Sequence, residues 1–286
     1  MGDLADKYVK EPLKAALSYF VGPWAGPIVD VIWFAASTAA VAHASAEYVK
    51  SQYKGLSEES QGRLLNSRVA TAPQQYVYGK VRKGGTIVNT ASGGSNNKYL
   101  HMIIALAGHE VNSISNDVYV NDELTSLSGN SLGGKWKDKI RIDFYKGNHT
   151  AGPTDWPTGD IGVGYGVAYA HVRFEYNKTV FADGIPQITF LIEGKKVYDP
   201  RDSNQDADDA STWTYSANPA LCIADYIRAD YGLADSKYSR IDDTKLQIAA
   251  NVCDENITLA AGGTEKQYEL NGVVDASNTP SDNIGR

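Results

Sequence analysis

The stretch 98–111, KYLHMIIALAGHEV, ends an apolar run in Gly108-His109-Glu110, the residue types of a general acid–base pair. Spacing argues against that chemistry. His109 and Glu110 are adjacent, so in an extended chain their side chains leave opposite faces. His101 and His109 share a face, but eight residues at ~3.3 Å each put them roughly 26 Å apart, too far for one metal ion. A zinc helix of the H-E-x-x-H kind is also absent, because Ser113 stands three residues after Glu110. The stretch reads as a strand in the wall of a larger β structure.

Other groups with chemical potential fare similarly. Gly162, Gly164 and Gly166 in DIGVGYGVAY follow the turn TDWPTG and feed a strand, whereas a dinucleotide loop follows a strand and opens a helix. They read as a loop or bulge. Asp202, Asn204, Asp206 and Asp208 alternate as a calcium loop begins, but Ala207 stands in for the glycine and Trp213 for the closing glutamate. A solvated acidic linker is the simpler reading, with calcium binding as its alternative. A glycosidase would need two convergent acids; Asp155, Asp160, Glu175 and Glu193 are present, and no spacing selects a pair. No Ser-His-Asp order, G-x-S-x-G elbow or phosphate loop occurs. Three N-x-S/T sequons, at Asn148, Asn177 and Asn256, matter only in a secretory pathway. Cys222 and Cys253 fall in helical patterns and read as reduced core thiols. The expectation is a non-enzyme with no cofactor and no bound metal.

The elements around these residues are mostly strands. From Gln75 onward short β-type runs alternate with Gly, Asn and Asp clusters: QYVYGKV, GTIVNTA, KYLHMIIALAG, NDVYVND, KIRIDFYKG, GVAYAHVRFEYN, QITFLIEGKKVYD and KQYELNGVVD. In AYAHVRFEY, Ala168, Ala170, Val172, Phe174 and Tyr176 share one face, and Tyr169, His171, Arg173 and Glu175 the other, the alternation of a half-buried antiparallel strand. Two helices interrupt the pattern. NPALCIADYIRADYGL has Asn218 as N-cap, Pro219 in the first turn and Gly232 as stop, and RIDDTKLQIAANVCDENI turns Leu246, Ala249, Ala250 and Cys253 to one side. The predicted class is α+β, mainly β, with barrel-like modules, two short inserted helices and an apolar helical N-terminal segment. The expected divisions are 1–57, 58–200 and 201–286, with helices at about 218–231 and 241–254.

The N-terminal segment opens with MGDLADKYVKEP and lacks the form of a secretory signal. Its apolar runs are broken by Asp30 and by Gly22-Pro23 and Gly26-Pro27, and neither reaches the ~18–20 residues of a spanning helix. Short helices buried at an oligomer axis or under a partner are expected, with transient membrane contact by residues 15–49 as the alternative. The net charge of −7 over 286 residues argues against a surface that grips nucleic acid, and leaves open a conduit whose wall must not hold DNA.

Six strings, in order, resemble the central tail hub, or tail-tip attachment protein J, family of lambda-like long-tailed bacteriophages. They are QQYVYGKVRKGGTIV; YLHMIIALAGHEVNSISNDVYVNDE; TDWP with GVGYGVAYAHVRFEYN; GIPQITFLIEGKKVYDPRD; YSANPALCIADYIRADYGL; and AANVCDE with YELNGVVDASNTPSDNI. They cover roughly residues 73–284. Tyr78, Gly79, Arg82, Gly84 and Gly85 match the family's Y-G-x-x-R-x-G-G strand and turn, and Gly108, His109 and Glu110 its A-G-H-E strand end. Asp155 and Trp156 stand in the TDWP string, Asn218 and Pro219 open the N-P-A-L helix, and Asp225 and Tyr226 continue it.

The resemblance implies a structural virion protein at the distal end of the tail, made in the bacterial host's cytoplasm. It implies a homotrimeric hub around the channel through which DNA passes without specific binding. Distal tail protein, tape-measure protein and other tail-tip proteins are the implied partners, with a host-envelope receptor reached indirectly or through further C-terminal parts. Family members usually continue past the N-T-P-x-D-N-I string, whereas this sequence ends in SDNIGR; an N-terminal hub portion and a short hub with separate receptor-binding chains are both consistent with that. The alternatives are a tail-associated cell-wall or capsule hydrolase and a membrane-active ejection protein.

Overall fold

The computed structural model describes residues 66–68, 72–157, 159, 161–182, 184–232 and 241–284. The apolar segment expected to be helical within 1–57 lies outside the described residues. The described residues divide into two compact units, within 53–195 and within 196–286.

The first unit contains β1 (Gln75–Tyr78), β2 (Lys80–Lys83), β3 (Thr86–Gly93), β4 (Tyr99–Ala107), β5 (Ser113–Val120), β6 (Glu123–Ser128), β7 (Ser131–Leu132), β8 (Ile140–Tyr145), β9 (Ala168–Glu175) and β10 (Ile188–Glu193). Nine of these form one sheet in the order β2-β10-β5-β6-β7-β8-β9-β4-β3. All its pairings are antiparallel. Local chemistry sets several of the connections. Asn121 and Asp122 take φ of 49° and 65°, which Asn and Asp tolerate best after Gly, and so close the β5–β6 hairpin. The single run QYVYGKV becomes two strands because Gly79, at φ 65°, turns the chain between them.

The sheet is curled. Neighbouring strands lie about 4.7–4.9 Å apart, so β8 and β10, four steps apart in the order, would sit about 19 Å from each other in a flat sheet. Instead the rings of Phe144 and Phe190 meet edge to face at 5.9 Å. The two outermost strands, β2 and β3, are joined by Gly84-Gly85, which brings both edges to one seam. Asn66 and Ser67 fasten that seam. The Asn66 amide donates to Gly84 O (2.5 Å) and Ile188 O (2.9 Å) and accepts from Ile188 N (2.8 Å), while Ile87 N donates to Ser67 O (2.7 Å). Inside the curl lie Ile104, Leu106, Ile140, Ile142, Val172, Phe190 and Ile192, all nearly inaccessible.

The second unit contains β11 (Lys196–Val197), β12 (Thr214–Tyr215), α1 (Pro219–Arg228), α2 (Asp243–Cys253), β13 (Asn256–Thr258), β14 (Thr264–Lys266), β15 (Gly272–Asp275) and α3 (Pro280–Ile284). Asn218 caps α1 as its type predicts: its side-chain oxygen accepts from Ala220 N (3.0 Å) and Leu221 N (3.4 Å). Its amide nitrogen donates to Ala250 O (2.9 Å), so one buried residue both starts α1 and ties it to α2. α1 stops at Arg228, short of the expected 231, where Ala229 leaves the helical region with ψ of 148°. Leu246, Ala249, Ala250 and Cys253 are the buried face of α2, as their spacing predicts. Among the described residues no helix is long and apolar enough to cross a membrane.

The class is mainly β with a curled sheet and few helices. The N-terminal helical part of the expectation has no counterpart among the described residues. KQYELNGVVD is not one strand, since it is split between β14 and β15. β9 also departs from its predicted pattern: its polar face is covered, and Tyr176, assigned to the core side, lies just beyond the strand and is 72% exposed.

Candidate functional site

The strand register of β8, β9 and β4 arranges the outward residues in three rows. Arg141 faces Arg173, which faces His101; Asp143 faces His171, which faces Ile103; Tyr145 faces Tyr169, which faces Ala105. Two arginines directly opposite each other repel. The segment 146–167, which leaves β8 and returns as β9, resolves this by laying Asp155 over the first two rows. Asp155 Oδ2 lies 3.1 Å from Arg173 Nη1 and 3.5 Å from Arg141 Nη1, and Oδ1 lies 3.5 Å from His171 Nδ1. Asp143 completes the set, 3.0 Å from Arg141 Nε and 3.9 Å from His171 Nδ1.

Next to Asp155, Trp156 roofs the cluster, its ring 6.0 Å from that of His101 and 5.9 Å from that of His171. Trp156, Ile103 and Tyr169 form a small apolar core on this outer face, extended by Ala91, Tyr145 and Ile161. His149 holds the return of the segment by a 2.7 Å hydrogen bond to Val163 O, to which the Tyr169 hydroxyl also donates. Gly162, Gly164 and Gly166 all have positive φ, at 81°, 67° and 81°. Their role is conformational, as the sequence implies.

Beneath this roof His101 and His171 are almost fully buried, at 3% and 1% exposure. Nδ1 of His101 lies 3.0 Å from Nε2 of His171. The rings are 14° from coplanar with centroids 5.2 Å apart, so they meet edge to edge along the N···N line and not face to face. Burial pushes both imidazoles below the usual histidine range, against the pull of Asp155. Both rings are therefore neutral at pH 7, and one ring nitrogen donates to the other. Imidazole and carboxylate together form a donor set suited to zinc and its neighbours. One ligand atom each from His101, Asp155 and His171 lies within 4.8 Å of the others.

The sequence did not bring these residues together. The strand reading set His101 beside His109, but β4 ends at Ala107, two residues before His109, and the partner of His101 is His171, 70 residues on. The one available signal was a histidine on the polar side of each of two strands, and pairing them needs the register of β4 with β9.

The motif residues take other places. His109 straps β1 to the end of β4: its Nε2 accepts from Val77 N (2.8 Å), its Nδ1 lies 2.6 Å from Glu110 O, and its ring stacks on Tyr76. Gly108 donates to Gln75 O, and Glu110 accepts from Asn148. Tyr78 is buried; Gly79 O accepts from Gly194 N. Arg82 reaches Thr189 Oγ1 (2.7 Å) and Asp122 and lies over the Tyr119 ring. Gly84 and Gly85 form the seam turn. In the second unit Pro219, Asp225 and Tyr226 are buried in α1, and the Tyr226 hydroxyl accepts from Asn283.

Among the described residues, the acids considered for hydrolysis do not form a pair. Asp155 is engaged by the two arginines. Glu175 lies between Lys139 (2.9 Å) and Lys98 (3.3 Å), whose ammonium groups, Lys139 foremost, hold its carboxyl below the usual range. Glu193 accepts from Asn112 and Ser113. Asp160 lies outside the described residues. In the acidic segment, Asp202, Asp206 and Asp209 accept from the backbone of Asn204, Asp208 and Ser211, turning their carboxylates onto their own chain. Cys222 and Cys253 are buried and form no disulfide, and burial raises the Cys253 thiol to about 11, which keeps it protonated.

His109 yields a pH prediction. Burial lowers its pKa from 6.5 to about 4. The unfolded chain then takes up the proton first, so the contribution of this group is complete above pH 6.5 and fades as pH falls towards 4. The shift corresponds to roughly 3 kcal/mol at most. Chemical denaturation at pH 7 and pH 4.5 is expected to show a lower midpoint in acid, with a smaller difference in His109→Gln.

No family model matches the chain, and no curated protein matches it. Among solved structures it is similar to a chain of the "Virion of native gene transfer agent (GTA) particle", at 19% identity and a TM-score of 0.36. The alignment covers 51% of this chain and 30% of that one, so the chain spans less than a third of the length of that relative. A likeness this distant carries no functional argument.

Proposed function

We propose that this chain is a structural protein of a phage-type virion, the hub portion of a tail tip. In this reading three copies close the distal end of the tail, join the tube and distal tail protein to tip or receptor-binding parts, and open for DNA to leave. The observation that carries the reading is the order of six family-like strings across residues 73–284. The work of such a protein is a change in subunit packing and involves no bond-breaking step.

Two physical features support it. Away from the part of the curled sheet that segment 146–167 covers, Val88 on β3 and Leu124 on β6 are exposed apolar side chains. The hairpin β13–β14 has every residue from 255 to 266 exposed, including Ile257 and Leu259. An isolated two-stranded hairpin is marginal in water, and its open edges are where another chain adds a strand.

The test combines solution mass with microscopy. Sedimentation of the purified full chain is expected to show a trimer, and an antibody raised against residues 58–286 is expected to label the distal ends of tails under a threefold-averaged ring. A monomer at all concentrations, together with unlabelled tails whose tips are exposed, would overturn the proposal.

A further inference from the structure

We infer that the cluster beneath Trp156 binds a transition-metal dication of the zinc type, through His171 Nδ1 and Asp155 Oδ1 with Asp143 alongside, and that His101 orients His171 for it. This inference stands independently of the tail-tip reading.

The first observation is an orphaned atom. Nδ1 of His171 is buried and has no hydrogen-bond partner. Such an atom in a folded protein calls for a specific cause, an ion or ordered water among them. The second observation is what faces it: Asp155 Oδ1 at 3.5 Å and Asp143 Oδ2 at 3.9 Å. The first is at the limit of a hydrogen bond and the second well beyond it. Two ligands each about 2.0–2.1 Å from a tetrahedral zinc ion are about 3.4 Å apart, close to the spacing of Nδ1 and Oδ1.

The surroundings assign the remaining roles. When Nε2–H of His171 donates to His101 Nδ1, 3.0 Å away, Nδ1 is left with a lone pair directed at two carboxylates. Lone pair against carboxylate is repulsive until a cation lies between them. Fixing one ring nitrogen by a hydrogen bond to a neighbour is the usual way a liganding histidine is held. Arg173 and Arg141 engage Oδ2 of Asp155, so that Oδ1 is the oxygen turned to His171. The same guanidiniums offset the two carboxylates, so a dication adds net positive charge, and micromolar affinity is expected in place of the tighter binding of a closed structural site. One imidazole with carboxylates suits zinc, nickel or copper ahead of calcium or magnesium.

The experiment uses the full chain, stripped with a chelator and titrated calorimetrically with Zn²⁺, and in parallel with Ni²⁺ while tryptophan emission is followed. One ion per chain is expected, with Ni²⁺ quenching that largely disappears in Trp156→Phe although calorimetric binding persists. Binding is expected to be lost in His171→Ala and in the near-isosteric Asp155→Asn, and to weaken about 10–100-fold in His101→Gln, with fold checked by circular dichroism. Asp155→Asn decides the matter if His171→Ala does not fold. Absence of saturable binding by a folded chain, or binding unchanged in folded Asp155→Asn, would overturn the inference and leave the cluster as a buried hydrogen-bonded relay.

Discussion

Phe190→Ala is expected to destabilise the first unit by about 3–5 kcal/mol, the range for removing a fully buried aromatic ring. Phe190 is inaccessible and sits on β10 between the registers of β2 and β5, opposite Lys83 on one side and Val118 on the other. Its ring also reaches across the interior to Phe144 on β8. The substitution therefore removes both local burial and the contact that spans the curl, and the surrounding sheet cannot collapse into the space without changing its curvature. A loss of this size is a large fraction of ordinary domain stability. Urea unfolding followed by tryptophan emission would show it as a lower midpoint. A midpoint within experimental error of the parent would mean that the ring is not part of a closed core.

Gly85→Ala carries the second large effect, about 2–4 kcal/mol. Gly85 has φ of 80°, and a Cβ built there would stand 2.5 Å from Ala105 O and 2.9 Å from Ile104 Cγ2. The left-handed conformation alone costs an L residue about 1–2 kcal/mol. The remainder is the collision with the backbone of β4, which cannot rotate away as a flexible side chain would. Gly129→Ala separates the two terms, because Gly129 has φ of 64° with open space where its Cβ would go. Its expected loss is only about 1 kcal/mol. Equal losses at the two positions, measured by the same denaturation, would remove the crowding argument. The steric requirement at Gly85 also gives a physical reason for the Gly84-Gly85 part of the motif: this is the point where the two edges of the sheet are joined.

The extent to which the sequence was legible follows the range of the interaction concerned. The helix start at Asn218-Pro219 was readable because a cap is decided within three residues. The strand Tyr99–Ala107 was readable from its unbroken β-type run, whereas NDVYVND, read as one run, turns at Asn121-Asp122, and the strand ends before His109. The alternation of β9 correctly separated Ala170 and Val172 from Tyr169 and His171. What it implied about solvent was wrong, because the segment 146–167 folds back over the polar face, and period-two alternation describes a strand without describing what covers it.

The histidine cluster shows the same limit. Residue types alone placed His101 and His171 on strand faces and Asp155 in a turn. Their meeting required β4 to pair with β9 so that Ile103 stands opposite His171, and a shift of one residue would have sent every one of those side chains to the other face. By itself the sequence determined the mainly β character, the caps, several turns and the buried thiols, because propensity and periodicity act over a few residues. Only the tertiary structure decided the curl, the roof of Trp156 and the juxtaposition of His101, His171 and Asp155, because register and closure depend on contacts between segments as far as 122 residues apart.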